Sequence, residues 1–147
     1  MLTATVFADI FPEERASVRA ARSEDADRVR RMLATDNADW SDEDIDIAMA
    51  HAHTTLGGPE AFKWILPVWL QRSAANPHHG WLTVSEVLAD KLDRAGFDDW
   101  PEVQRAAVVP LLSGWLHMQE TAFTDDAVPY KPEDDAALRD WLKARTP

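Results

Sequence analysis

The chain has 147 residues, of which 46% are hydrophobic and 28% are charged, and its formal net charge is −11. This profile predicts one globular domain over residues 1–147, and the excess of acids argues against nucleic acid or an anionic membrane surface as a direct partner. The chain has no cysteine, which excludes disulfides, thiol nucleophiles and cysteine-bound zinc.

The beginning of the chain and its apolar runs bear on where the protein works. A signal peptide has a basic region before its apolar stretch, and the first apolar stretch of this chain has none. No apolar run approaches the length of a membrane span. We therefore expect a soluble, cytoplasmic protein.

Residues 1–35 are predicted to form a helical segment at the edge of the domain. Pro12 and the two acids after it favour a helix start, and that helix extends to about Arg22. A second helix follows from Ser23 and carries few apolar side chains. Because its apolar face is thin, we expect the segment to be peripheral or mobile.

The core is predicted to lie in residues 40–120, beginning with two helices. Ser41 is a favourable N-cap for the first, and Gly57–Gly58 ends it. Pro59 opens the second, and Pro67 inside it predicts a kink or a break. Apolar residues follow helical spacing in both, at Ile45, Ala48, Met49 and Ala52, and at Phe62, Ile65, Leu66, Trp69 and Leu70.

Two more core helices are indicated by capping boxes, in which a polar N-cap is followed three residues later by glutamate. Thr83 with Glu86 starts one, which ends at Gly96, and Asp99 with Glu102 starts the other. The predicted apolar stripes are Val84, Val87, Leu88, Leu92 and Ala95, and then Val103, Ala106, Ala107, Leu111, Trp115 and Met118. Pro110 and Gly114 predict a bend in the last of these helices.

The end of the chain is predicted to be a loop, Thr121–Lys131, followed by a C-terminal helix within residues 130–145 that Pro132 opens. Leu2–Phe7 is the only candidate strand, and a single strand has no partner. The sequence thus predicts an all-α fold, a bundle of about six to seven helices. Residues 62–70 and 103–118 should form its central pair, each with an internal proline.

Three segments carry a resemblance to a known family: Trp40–Glu43 (WSDE), Gly58–Pro67 (GPEAFKWILP) and Glu102–Val108 (EVQRAAV). Residues 40–116 resemble an uncharacterised family of short bacterial proteins, grouped as a domain of unknown function. Its pattern has a Pro-Glu-Ala-Phe…Leu-Pro helix and a Glu-Gln-Arg-Ala-Ala-Val helix. Val103 interrupts the second motif. The resemblance implies helices and supplies no activity.

Four side chains are candidates for a metal site: Glu43, Asp46, His51 and His53. A helical histidine pair needs a separation of three or four residues to share a face, and these two are separated by two. They would converge only if the helix frays before Gly57. The same face reads equally well as a solvated acidic surface.

The run Asp42-x-Asp44-x-Asp46 is similar to the start of a calcium loop. It has Ile47 where that loop needs glycine and His53 where it needs glutamate. A calcium loop is therefore rejected. No glycine-rich phosphate loop and no nucleophile elbow is present either, so we predict no catalytic residue and no cofactor.

Tryptophan and histidine mark a second candidate site. Trp69, Trp115 and Trp141 lie on apolar stripes and are assigned to the core. Trp64 lies off its stripe, and Trp81 follows a loop with His78 and His79. These four residues are the candidates for a binding surface, since tryptophan is enriched where proteins meet. Core or half-buried packing of both tryptophans is the alternative.

The combination favours a protein-interaction module with an acidic surface and a basic protein as its partner. Acidic runs at Asp36–Asp46 and Asp125–Asp140 support this, although such runs also simply face water. An inhibitor of a basic protein, of the immunity type, is one version. The alternative is a metal-binding or hydrolytic enzyme that uses His51 and His53. Self-association is a third possibility, and the oligomeric state stays open.

Overall fold

A computed structural model describes residues 23–54, 56, 58–122 and 135–146, with six α-helices and no β-strand among them. The all-α prediction is confirmed for these residues. The helices are α1 (Ser23–Ala34), α2 (Asp42–His51), α3 (Pro59–Ala75), α4 (Ser85–Arg94), α5 (Glu102–Ala122) and α6 (Ala136–Arg145). None of them combines the length and hydropathy that a membrane span requires.

Several predictions fall outside the described residues: the helix over residues 12–22, the strand candidate Leu2–Phe7 and the helix start at Pro132. The predicted loop Thr121–Lys131 also lies outside from residue 123 onward. Its first two residues are the end of α5, which extends to Ala122.

Helix ends follow the local chemistry that the sequence indicates at three points. The Ser41 hydroxyl accepts a hydrogen bond from the backbone N–H of Asp44 at 3.1 Å, which confirms the N-cap of α2. Pro59 is in the first turn of α3. Gly96, after α4, has a φ of 70°, a left-handed conformation that stops a helix and favours glycine.

The centre of the molecule is α3, which packs against α2 on one side and α5 on another. All five apolar residues of its predicted stripe are buried. Trp69 lies 5.2 Å from Trp115 between ring centroids, and the Trp115 indole donates to the Ser73 hydroxyl at 2.8 Å. The central pair is thus confirmed. The sequence predicted a kink or a break at Pro67. Helix α3 continues through Pro67, so it is not broken there.

Helix α1 is less peripheral than its composition indicated. Val29 and Met32 are buried in the core, and the Trp40 indole donates to the Met32 carbonyl at 2.9 Å. Arg28 and Arg31 both reach the carboxylate of Asp44 in α2. The prediction considered only apolar side chains, whereas polar contacts also attach this helix to α2.

The first capping box is not formed. Helix α4 begins at Ser85, its N-cap is Val84, and no side chain caps it. Thr83 is buried, and its hydroxyl has no hydrogen-bond partner among the described residues. Consequently the helix buries Leu88, Ala89 and Leu92, as its 3.6-residue period requires, while Val84 and Val87 of the predicted stripe are exposed.

Helix α5 also faces the core with a stripe different from the predicted one. Val103 and Met118 are exposed, and Val108, Leu112 and Leu116 are buried in their place. Leu111 and Trp115 lie on both stripes and are buried as expected. At its start, the Pro101 carbonyl accepts from the N–H groups of residues 104 and 105, so Pro101 caps the helix in place of Asp99.

Helix α6 closes the bundle by packing against α4 and α5. Its predicted contacts Leu138, Trp141 and Leu142 are all buried. The Trp141 indole donates to the carboxylate of Asp93 in α4 at 2.9 Å. The end of the chain is therefore fixed to the same helix whose outer surface is described below.

Candidate contact surface

Two of the six acids in the run Asp36–Asp46, Asp44 and Asp46, are buried. Asp44 is buried and accepts from Arg31 at 2.7 Å and from Arg28 at 3.1 Å, which joins α2 to α1. These bonds neutralise a carboxylate that would be costly to bury alone. The run is thus partly an internal element and presents less charge to solvent than its sequence indicated.

Asp42 uses its two carboxylate oxygens to hold the end of α3. One accepts from Arg72 at 2.8 Å and the other from the Asn76 amide at 3.0 Å. The Asn76 hydrogen bond and the Arg72 guanidinium hold the pKa of Asp42 below its ordinary value. The loop that follows α3 therefore starts from a fixed point.

Asp46, one helical turn after Asp42, holds the other end of that loop. Its buried carboxylate accepts from the backbone N–H of Leu82 at 2.8 Å, and its second oxygen lies 4.0 Å from His79 Nε2. Burial raises the pKa of Asp46 above its ordinary value, against the opposing effects of the Leu82 N–H and of His79. The chemistry of α2 thus sets the conformation of residues 76–82.

The loop itself carries three of the candidate binding residues. Residues 77–79 form a 3-10 turn, after which Gly80 adopts a left-handed φ of 85°. The Trp81 indole donates to the Asn76 carbonyl at 2.9 Å, and its ring centroid lies 4.6 Å from that of His79. Trp81 is half-buried against the core. The side chain of His78 lies outside what the structure describes.

Beyond this loop the chain exposes large apolar side chains in close succession. The exposed fractions are 64% for Leu82, 46% for Val84 and 40% for Val87. We call Trp81, Leu82, Val84 and Val87 the 81–87 surface. Leu82, Val84 and Val87 are three of the five large apolar side chains that are exposed in the described part of the chain. This surface therefore differs from the rest of the described surface.

Charged residues border this surface on the outer face of α4. Glu86, Asp90 and Arg94 are exposed there, and Asp90 pairs with Arg94 at 3.0 Å. Such an exposed pair contributes little to stability. Glu86 and Val87 are both exposed at the start of α4.

Trp64, the other candidate tryptophan, lies in a different environment. It is half-buried on α3, packed against the core, with its ring centroid 5.1 Å from that of Trp40. This environment agrees better with half-buried packing, the alternative given above, than with the role of an exposed contact residue.

The four candidate metal ligands are not brought together. Glu43 is exposed, Asp46 binds the Leu82 N–H, His51 faces Asp25 and His53 bonds to the Lys91 carbonyl. Across the described ranges, no three His, Asp or Glu side chains form a group that could hold a metal ion. A spacing of two residues sends His51 and His53 to different neighbours, which is the physical reason.

His51 is paired with a buried carboxylate. Its Nδ1 lies 3.2 Å and 3.3 Å from the two oxygens of Asp25 in α1, and Asp25 also lies 3.8 Å from Arg28. The imidazole is itself partly exposed, with a side-chain exposure of 34%. A carboxylate in contact with Nδ1 fixes the orientation of the ring and leaves Nε2 for another partner.

His53 is a packing residue. Its ring stacks on Phe62 with centroids 4.9 Å apart, and Nε2 donates to the Lys91 carbonyl at 2.9 Å. Burial is the main cause that lowers the pKa of His53. A neutral ring with its proton on Nε2 fits these contacts, and it links α3 to α4.

Comparison with protein-family models, curated proteins and solved structures finds no match to the chain. The family resemblance of residues 40–116 therefore stays a prediction.

The sequence singled out Trp81 but missed Leu82 and Val84. A signal was present for Leu82, which lies between Gly80 and the start of α4 and outside the predicted apolar stripe. The capping-box assignment placed Val84 on the buried stripe, and that assignment concealed the exposed residues.

Proposed function

We propose that the protein is a cytoplasmic protein-interaction module of bacterial type, which binds a basic protein through the 81–87 surface. The observation that carries the proposal is an exposed leucine on a fixed backbone. Leu82 is 64% exposed, yet its own N–H is bound by the buried carboxylate of Asp46. Because its backbone is already fixed, little backbone conformational entropy is lost when a partner covers this leucine.

Charge supports a basic partner. The chain carries a net charge of −11, and Glu86 and Asp90 lie beside the apolar residues on the outer face of α4. An apolar centre with charged residues at its edge is the usual arrangement of a protein interface. A partner with an apolar side chain among lysines and arginines would complement it, and its association would be slowed by salt.

The test compares two baits of equal exposure. Leu82→Ser removes an apolar group from the 81–87 surface, and Val103→Ser removes one that is 63% exposed on α5. Neither should change stability by more than about 0.5 kcal/mol, since both are exposed. Proteins captured by wild-type protein from a bacterial lysate are quantified for each bait, and candidates are purified for calorimetry over a salt series.

The expected result is a protein with a basic pI that Leu82→Ser loses and Val103→Ser retains, with affinity that falls as salt rises. The hydrogen bond between Asp46 and the Leu82 N–H can be tested separately. Asp46→Ala should weaken binding of the partner, whereas Asp46→Asn should preserve it because the amide oxygen still accepts from the Leu82 N–H. If no captured protein depends on Leu82, the proposal is wrong.

A hydrolytic function is the second candidate, and one observation favours it. The Asp25 carboxylate holds His51 at 3.2 Å through Nδ1, which is how a carboxylate orients a histidine that acts as a general base. Its test is the hydrolysis of p-nitrophenyl acetate by wild-type protein, His51→Gln and Asp25→Asn. Activity that both variants lose supports this function, and a wild-type rate equal to that of His51→Gln excludes it for this ester.

A further inference from the structure

The first turn of helix α4 carries part of the 81–87 surface but has no cap of its own. Its N-cap is Val84, whose side chain cannot accept a hydrogen bond from the helix N–H groups. Val87 lies in the same turn, and its N–H donates to the Val84 carbonyl at 3.1 Å. The position of this turn therefore depends on contacts with other parts of the fold.

One such contact comes from a residue 50 positions later in the chain. The hydroxyl of Ser85, the first residue of α4, donates to the carboxylate of Asp135, the N-cap residue of α6. Asp135 is 4% exposed and Ser85 is 8% exposed. Because the acceptor is a carboxylate shielded from water, this hydrogen bond is stronger than one between neutral groups in solvent.

The same contact bears on the direction of the neighbouring side chains. Exposure alternates along residues 82–85: Leu82 and Val84 are exposed, and Thr83 and Ser85 are buried. Val84 has an extended backbone, with a φ of −115° and a ψ of 165°, and successive side chains of an extended chain point to opposite sides. Holding Ser85 inside thus keeps Val84 outside.

Helix α6 also holds the far end of α4. The Trp141 indole and the Arg145 guanidinium both donate to Asp93, at 2.9 Å and 3.4 Å. Asp93 is next to the last residue of α4, whereas Ser85 is the first. The start of α6 therefore contacts the start of α4 and its end contacts the end of α4, so the docking of α6 bears on the whole length of α4.

The junction between Asp135 and α4 is the less satisfied end of this contact. Among the residues that the structure describes, the Thr83 hydroxyl and the second carboxylate oxygen of Asp135 are buried without a hydrogen-bond partner. Buried polar atoms without partners cost free energy, which water returns when they become exposed. Local opening at this junction is therefore easier than opening of the apolar centre of the bundle.

We infer that Asp135 is a positioning residue for the 81–87 surface, because its bond to Ser85 sets the first turn of α4 and makes the surface depend on the docking of α6. The inference rests on the binding function proposed above. The position of α4 is nevertheless measurable without any partner, so the two can fail separately.

Amide hydrogen exchange, followed by NMR on the full chain, tests the inference. In Asp135→Ala the Val87 amide should exchange at least about fivefold faster than in wild type, whereas the Leu66 amide in α3 should keep its rate. Asp135→Asn should retain slow exchange, because its amide oxygen still accepts from the Ser85 hydroxyl. Asp140→Ala is the matched control, since Asp140 is an exposed aspartate of the same helix, and it should behave as wild type.

Ser85→Ala tests the same hydrogen bond from the α4 side and decides the matter if Asp135→Ala does not fold. It should also accelerate exchange at Val87. Equal exchange of Val87 in wild type and Ser85→Ala overturns the inference. So does equal acceleration at Val87 and Leu66, which would show that the bond stabilises the whole fold and does not position one turn.

Binding of the partner gives the second readout. Asp135→Ala should raise the dissociation constant of a protein captured through Leu82 at least about threefold, and Asp140→Ala should leave it unchanged. Binding equal to that of wild type, despite faster exchange at Val87, overturns the positioning role. If no captured protein depends on Leu82, the proposed function is wrong, and the exchange rates still decide whether Asp135 sets the first turn of α4.

Discussion

At the scale of single residues, the acidic run on α2 shows that neighbours in sequence have different roles. Glu43 is exposed, whereas Asp44, the next residue, is buried and accepts from two arginines of α1. Both carboxylates lie in the first turn, where the helix dipole favours negative charge. Composition alone does not distinguish them, but the structure does.

Asp44→Ala should therefore destabilise the protein by about 1–3 kcal/mol, since two guanidinium groups lose their acceptor. Because Arg31 is partly exposed, the expected loss of stability is smaller than for a fully buried ion pair. Urea denaturation followed by circular dichroism measures it. Glu43→Ala is the matched control and should stay within about 0.5 kcal/mol of wild type; equal losses in both variants would contradict the assigned role.

His53 gives the stability of the protein a pH dependence. Because burial lowers its pKa in the folded state below 6.5, the unfolded chain binds the proton more readily. The stabilising contribution of neutral His53 is complete above pH 6.5 and is lost as the pH falls toward the folded-state pKa.

Acidification from about pH 7.5 to about pH 5.5 should thus lower the free energy of unfolding of the wild type more than that of His53→Gln. Denaturation curves at a series of pH values measure both slopes. The assignment is wrong if His53→Gln and wild type respond identically.

At the scale of elements, the same residue type has opposite effects in two helices. Gly114 is inside α5 with open space around its missing Cβ, and Gly96 ends α4 with a φ of 70°. The first costs helix stability, whereas the second supplies a conformation that alanine adopts only with strain.

Gly114→Ala should raise the free energy of unfolding by about 0.5–1 kcal/mol. Gly96→Ala should lower it by about 1–2 kcal/mol. Thermal denaturation of both variants side by side gives the comparison. A Gly114→Ala protein less stable than wild type would show that the surroundings of α5 are not open.

At the scale of the whole molecule, tryptophan is mainly a core residue. Trp40, Trp69, Trp100, Trp115 and Trp141 are buried, and Trp64 and Trp81 are half-buried. Four of the five buried indoles donate a hydrogen bond, while the Trp69 N–H has no acceptor within the part of the chain that the structure describes. The tryptophans therefore connect helices through both packing and polar contacts.

Acrylamide should quench the fluorescence of the native protein far less than that of the urea-unfolded chain, because no tryptophan in the fold is fully exposed. The quenching that the native protein still shows should come mainly from its half-buried indoles. Trp81→Phe should therefore lower the quenching of the native protein, and Trp69→Phe should not. Stern–Volmer plots provide the measurement, and strong quenching of the native state would contradict the described burial.

The candidate site was only partly predictable. The sequence pointed to Trp81 and His79 because tryptophan and histidine beside a loop are typical of binding surfaces. It did not point to Leu82. The backbone of Leu82 is fixed by the hydrogen bond from its N–H to Asp46, 36 residues away in the chain. No local pattern contains a contact over that separation.

The sequence by itself determined the helical fold, the N-cap at Ser41, the stop at Gly96 and the central position of α3, because caps, turns and apolar spacing act within a few residues. It placed the end of α2 at Gly57–Gly58, whereas that helix ends at His51. Only the tertiary structure decided which side of α4 and α5 faces the core and which acids turn inward. A helix with apolar residues around much of its circumference can bury more than one stripe, and its neighbours select among them. Val84 and Val87 beside α4, and Val103 and Met118 on α5, are predicted core residues that this selection leaves exposed.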